Sequence, residues 1–131
     1  MARLRQAQIL PTHAEMQEDA VIAIATTEQA LAQPWRPGRG NFSLCHGDAG
    51  NAELLIQAAQ ILGRSSAMAV AEQVAQNGIQ HLLQQGKPWP CGNSGVGETP
   101  SLMLGTAGIG HFYLRLFAPQ RVPSILLVRP V

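Results

Sequence analysis

Cys45 and His46 are adjacent in the run LCHGDAGN, and both side chains can ligate a transition metal. Thiolate and neutral imidazole are preferred zinc ligands, with Zn–S near about 2.3 Å and Zn–N near about 2.0–2.1 Å. Consecutive side chains normally diverge, so the two reach one ion only where the backbone bends sharply. Gly47 directly after the pair, with Gly50 closing the bracket, is expected to form that ligand-carrying turn. Asp48 and Asn51 stand where they would orient the imidazole or cap a following helix. Two ligands do not complete a site, because a structural zinc takes four and a catalytic one usually three plus water. A second reading fits the same residues: a buried cysteine beside a histidine at a helix start, joined by ordinary hydrogen bonds. Spacing alone leaves both open.

The other reactive side chains are scattered. Cys91 lies between Pro90 and Gly92, where a third thiolate and a simple tight turn are both consistent with the sequence. Trp89 reads equally as part of a peptide groove or as an anchor for its loop. His13, His81 and His111 have no ligand-like spacing and read as surface or packing residues. The glycines of GTAGIG (105–110) resemble a phosphate cradle only superficially, since no Walker-type lysine follows; close packing at a helix start explains them better.

Helical elements must position these groups. Met16, Ala20, Ile24 and Leu31 recur at helical spacing and predict a helix over 13–31, which PWRPGRG (34–40) cannot continue. A second helix is expected from Asp48–Asn51 to Leu62, stopping at Gly63. A third, capped by Ser65 or Ser66, runs to Gly86, with Gly78 inside it implying a close helix–helix contact. Residues 87–101 form a long loop. A fourth helix carries Ile109, Phe112, Tyr113, Leu116 and Phe117 on its apolar side until Pro119, and VPSILLVRP predicts a buried extended end. Gly47-Asp-Ala-Gly50 and Gly105-Thr-Ala-Gly108 share the pattern G-x-A-G, 58 positions apart (105 − 47), and each opens a predicted helix. A glycine turn, a helix, a return helix and the same turn again is the signature of an α-helical repeat array. Two units are fewer than the roughly three such arrays need, which favours part of a larger ring.

Composition narrows the functional classes. The 131 residues are 46% apolar, enough for one domain with a core, and only 13% charged with a formal net charge of +1. No basic block points to nucleic acid or an anionic membrane. No stretch approaches the roughly 18 apolar residues of a membrane span, and MARLRQAQ has no apolar region behind its charges. A cytoplasmic setting is expected, where two cysteines more often bind metal or catalyse than cross-link.

Taken together, FSLCHGDAGN, PWPCGNSGVGETPSLMLGTAGIGHFYLRLFAP and PSILLVRP resemble the C-terminal part of a lanthionine synthetase cyclase domain, most closely that of the type II lanthipeptide synthetases. The similarity spans nearly all of the chain, so residues 1–131 are expected to be the C-terminal part of one such domain, incomplete by itself. The resemblance implies an all-α fold, a partial α/α toroid of helical hairpins with glycine-rich turns. It implies that Cys45 and His46 are two of three protein ligands to a catalytic zinc, on a turn carried by Gly47 and Gly50. The open position would take a cysteine thiol of a lanthipeptide precursor, for addition to dehydroalanine or dehydrobutyrine and closure of a thioether ring. In the family the third ligand is a cysteine in an earlier W-C-x-G-like repeat, and residues 1–44 contain no cysteine. The expected partner is therefore the missing portion of the cyclase domain, and the chain alone is expected to be inactive. The competing expectation is a non-catalytic helical-repeat interaction module or gene remnant.

Overall fold

Small side chains set how closely the helices approach. The computed structural model describes residues 1–9, 14–38, 40–93 and 97–127, and among them every regular element is helical, with no strand. The helices are α1 (Ala2–Ile9), α2 (Ala14–Leu31), α3 (Asp48–Leu62), α4 (Ser65–Gly78) and α5 (Thr106–Phe117). A single π-helical turn, Ile79–Leu83, extends α4.

Helix α3 is the central element, packed against all four others and most extensively against α4. Ala49, Ala52, Leu55, Ile56 and Ala58 on α3 have no exposed surface, and neither do Ala67 and Ala71 on α4. The run of alanines lets the two axes come close, and Leu55, Ile56 and Val74 fill the remaining space. Ala20, Ile24 and Leu31 supply the buried stripe of α2. Gly63 ends α3 in the left-handed conformation, at φ 65°, which an L side chain adopts only at a cost. Arg64, next in the chain, pairs through Nε and Nη2 with the two carboxylate oxygens of Glu28 of α2 (3.1 and 2.6 Å), and Ser66 donates to the same carboxylate at 2.9 Å.

Several expectations need correcting. Helix α1 is not signalled by any apolar stripe in ARLRQAQI, yet Leu4 is buried in the core. Helix α4 takes Arg64, not a serine, as its N-cap residue, because Ser66 Oγ is spent on Glu28. The same helix switches to π geometry after Gly78 instead of running regularly to Gly86, as the Gln84 N–H bonds to the carbonyl of Ile79. The switch follows directly on Gly78, where a Cβ would meet the Tyr113 hydroxyl at 2.5 Å and the Trp89 ring at 2.9 Å. Beside this point the Ala75 carbonyl accepts both the Tyr113 hydroxyl (2.8 Å) and the Ile79 N–H. Gly78 therefore sits at a contact with α5, as expected, and the space it leaves is taken by the Tyr113 hydroxyl and by the Trp89 ring of the following loop. Residues 118–127 form turns and bends without a strand, with Ile125 exposed, and Pro130 lies outside the described residues.

Candidate metal centre

Cys45 and His46 sit on a four-residue turn, 44–47, that feeds α3, and both side chains are exposed. The turn is built on its own backbone. Gly47 and Gly50 both donate N–H to the Ser43 carbonyl (3.1 and 3.2 Å), Asp48 N–H donates to the Asn41 carbonyl (2.8 Å), and Asn41 Oδ1 accepts from Ser43 N–H (2.9 Å). Gly47 has φ −106° and ψ −175°, a conformation open to any residue. Its necessity is steric: a Cβ at Gly47 would collide with Asn41 and the Ser43 backbone, and one at Gly50 with the Leu44 carbonyl. The expected requirement for backbone freedom at Gly47 is thus replaced by a requirement for space.

The turn before α5 repeats two of these bonds 58 residues later. Gly105 donates to the Ser101 carbonyl (2.9 Å) and Thr106 to the Thr99 carbonyl (2.8 Å), while Cβ atoms at Gly105 and Gly108 would strike the Thr99 and Leu102 carbonyls. The second turn carries Met103 and Leu104 where the first has Cys45 and His46. The two turns touch directly, with Cys45 N–H donating to the Met103 carbonyl at 2.9 Å. The loop after α4 is stitched between them: Phe42 N–H bonds to Pro90 O (2.7 Å) and Gly92 N–H to Leu104 O (2.7 Å).

Ser43, which the sequence reading passed over, holds the imidazole. Its hydroxyl lies 3.1 Å from His46 Nδ1 and accepts a long 3.4 Å bond from the His46 amide, and Ser43 itself is fully buried. Nε2 is then the ring nitrogen left to a ligand. The signal was present: S-L-x-x-G-x-A-G occurs at 43–50 and again at 101–108, a longer match than G-x-A-G. The N-cap residue of α3 is Gly47, which has no side chain to cap with, and Asp48 stands in the first turn of the helix.

Cys45 and Cys91 are both free thiols. The chain beside Cys91 passes against the imidazole, since a Cβ on Gly92 would lie 2.6 Å from His46 Cε1. Among the described residues no group of three His, Cys, Asp or Glu side chains is placed to hold a metal ion. The donor set of the turn, one accessible thiol and one accessible imidazole held by a hydroxyl, fits two positions of a zinc shell. His81 stacks on Trp35 with ring centroids 4.1 Å apart, His111 Nδ1 is buried without a partner among the described residues, and His13 lies outside them.

Trp89 anchors its loop. Its backbone N–H donates to Glu98 Oε1 (2.8 Å), and its ring meets Phe42 and Tyr113 edge to face at 5.2 and 5.9 Å. It also lines a mostly apolar cleft of about 310 Å³ with Ile79, Leu83, Ile109 and Tyr113. A second cleft of about 260 Å³ is lined by Trp35, Arg36, Phe42, Asp48, Lys87 and Pro90. Desolvation pushes the Tyr113 phenol up to about 12.

A buried clasp beneath the two turns was not legible in the sequence. Arg115 of α5 has no exposed surface; it donates to Glu53 Oε1 of α3 (2.9 Å), Gln60 Oε1 (2.5 Å) and the carbonyls of Pro119 (2.5 Å) and Val122 (3.0 Å). Helices α3 and α5 are thereby tied together behind the ligand turn.

No helix among the described residues is long and apolar enough to cross a membrane. No curated protein and no solved structure matches the chain. Residues 1–127 do match the family described as lanthionine synthetase C-like protein, nearly the whole of the sequence. With a helical fold whose glycine turn presents an exposed Cys-His pair, the chain belongs to the lanthionine synthetase C-like family.

Proposed function

We propose that the chain supplies part of a zinc-dependent cyclase that forms lanthionine thioether rings in a lanthipeptide precursor. The observation that carries the reading is the turn 44–47, which carries an exposed cysteine and an exposed, Ser43-held histidine on consecutive residues. Cys45 and His46 would hold the ion as two protein ligands, and a third would come from another part of a complete cyclase. Zinc, when bound there, would lower the pKa of a substrate cysteine and present its thiolate for addition to a dehydroalanine or dehydrobutyrine. Two clefts, one lined by Phe42 and the other by Trp89, offer apolar surface along which a peptide would lie. In this reading α3, α4 and α5 are a section of an α/α toroid of the type II synthetases, and their glycine turns mark the active-site end.

The chain alone is expected to bind zinc weakly and to leave a dehydrated, cysteine-containing precursor peptide uncyclised when product mass and free thiols are followed. Stoichiometric tight zinc together with thioether formation would contradict this account. The exposed apolar end of α5, where Phe117 is 88% and Leu114 59% exposed, favours a second reading as an interaction module without metal chemistry. Cys45→Ala distinguishes the two. The module reading expects unchanged partner binding, and the cyclase reading expects loss of zinc.

A further inference from the structure

We infer that Gly92 and Ser43 are positioning residues for the His46 imidazole, clamping the ring between a hydroxyl and a bare backbone so that Nε2 is offered beside the Cys45 thiol. The inference rests on the zinc reading for its purpose, but its geometry stands apart from it. Gly92 has no positive φ, so its backbone conformation does not demand glycine. What demands it is the crowded space on its Cβ side: His46 Cε1 at 2.6 Å, Leu104 Cδ2 at 2.8 Å and Ser43 Oγ at 3.0 Å from a Cβ. All three atoms belong to the ligand turn or its counterpart before α5. The Gly92 backbone is fixed in place by its N–H bond to Leu104 O, so a side chain there would push on the ring more readily than the loop could withdraw. On the other side Ser43, fully buried, cannot move away from Nδ1, because Gly47 and Gly50 both bond to its carbonyl. An exposed imidazole would otherwise sample several rotamers. Here it is held in one, which is how outer partners raise the affinity of a metal ligand.

The second turn supplies an internal control. Ser101 Oγ accepts the Leu104 amide at 3.2 Å, much as Ser43 Oγ accepts the His46 amide at 3.4 Å, but there is no ring for it to hold. Ser43→Ala and Ser101→Ala therefore remove similar support from their turns, and only the first frees an imidazole. The experiment titrates the full chain and its Ser43→Ala, Gly92→Ala and Ser101→Ala variants with Co²⁺, reading the thiolate-to-cobalt absorption. In parallel, the nuclear Overhauser contact between His46 Hε1 and Gly92 Hα is measured in the metal-free proteins. Ser43→Ala and Gly92→Ala are expected to weaken cobalt binding roughly 10- to 100-fold, with Ser101→Ala within about twofold of the parent, and Ser43→Ala is expected to lose the contact. Equal weakening by Ser101→Ala, or a Ser43→Ala protein that keeps both the affinity and the contact, would overturn the inference. If Gly92→Ala does not fold, Ser43→Ala against Ser101→Ala decides alone. If the parent chain shows no thiolate–cobalt band, the zinc reading fails. The contact then decides the positioning role by itself, its loss in Ser43→Ala supporting the role and its retention overturning it.

Discussion

The ligand turn concentrates its demands in residues that have no functional group. Gly47 and Gly50 face backbone atoms at distances that admit no side chain, so Gly47→Ala must displace the Asn41–Ser43 segment that carries the turn's hydrogen bonds. Overpacking of this kind costs about 1–3 kcal/mol, and with backbone as the obstacle the upper end is expected in urea unfolding. Gly38→Ala offers no steric comparison, since nothing stands near its Cβ, but its φ of 75° makes any loss there conformational instead. A Gly47→Ala protein as stable as the parent would show that the turn relaxes freely. At this scale the sequence disclosed the Cys45–His46 pair because adjacent cysteine and histidine are chemically distinctive in any context. It disclosed Ser43 poorly, because a serine acquires its role only when the chain folds back to place it under the ring.

Helices α3 and α5 are linked by an ion pair whose partners lie 62 residues apart, which no local periodicity can reveal. Neither side chain is reached by water, with exposures of 0% for Arg115 and 2% for Glu53. Removing one partner strands the other's charge, so Arg115→Met is expected to lose about 3–5 kcal/mol of stability. The double variant Arg115→Met/Glu53→Met should recover most of that loss, as apolar replacement of a whole buried pair is often neutral. A double variant no more stable than the single one would show that the bonds of Arg115 to Pro119 and Val122 matter more than the pair. The helices themselves were largely legible, α3 to the residue at its C-terminal end, because Gly63 stops it and alanines recur along it. The π turn after Gly78 was not, because nothing in IQHLL (79–83) distinguishes it from a regular helical continuation.

Across the whole molecule, aromatic residues from three separate segments meet at one point, with Phe42 and Tyr113 both packed edge to face on Trp89, joining the loop after α4 to the core. Tyr113 is the single tyrosine, so it reports on this junction cleanly. Its phenol is raised to about 12 by desolvation, against about 10 in an unfolded chain. The folded form therefore holds the proton more tightly, and the stability this confers is present below pH 10 and lost as pH rises toward 12. Tyrosinate absorbance should titrate near 12 in the native protein and near 10 in denaturant. A native midpoint near 10 would mean that the phenol is solvated.

The account as a whole stands on the turn 44–47 being half of a zinc site. X-ray absorption of the zinc-loaded chain measures this most directly, since sulfur and nitrogen scatter at separable distances. The expected shell has one sulfur near about 2.3 Å from Cys45, one imidazole nitrogen near about 2.0–2.1 Å from His46, and oxygen in the remaining positions. Loss of the sulfur in Cys45→Ala and of the imidazole in His46→Ala would identify both ligands. A shell with no sulfur, or one with two sulfurs that brings in Cys91, would contradict it.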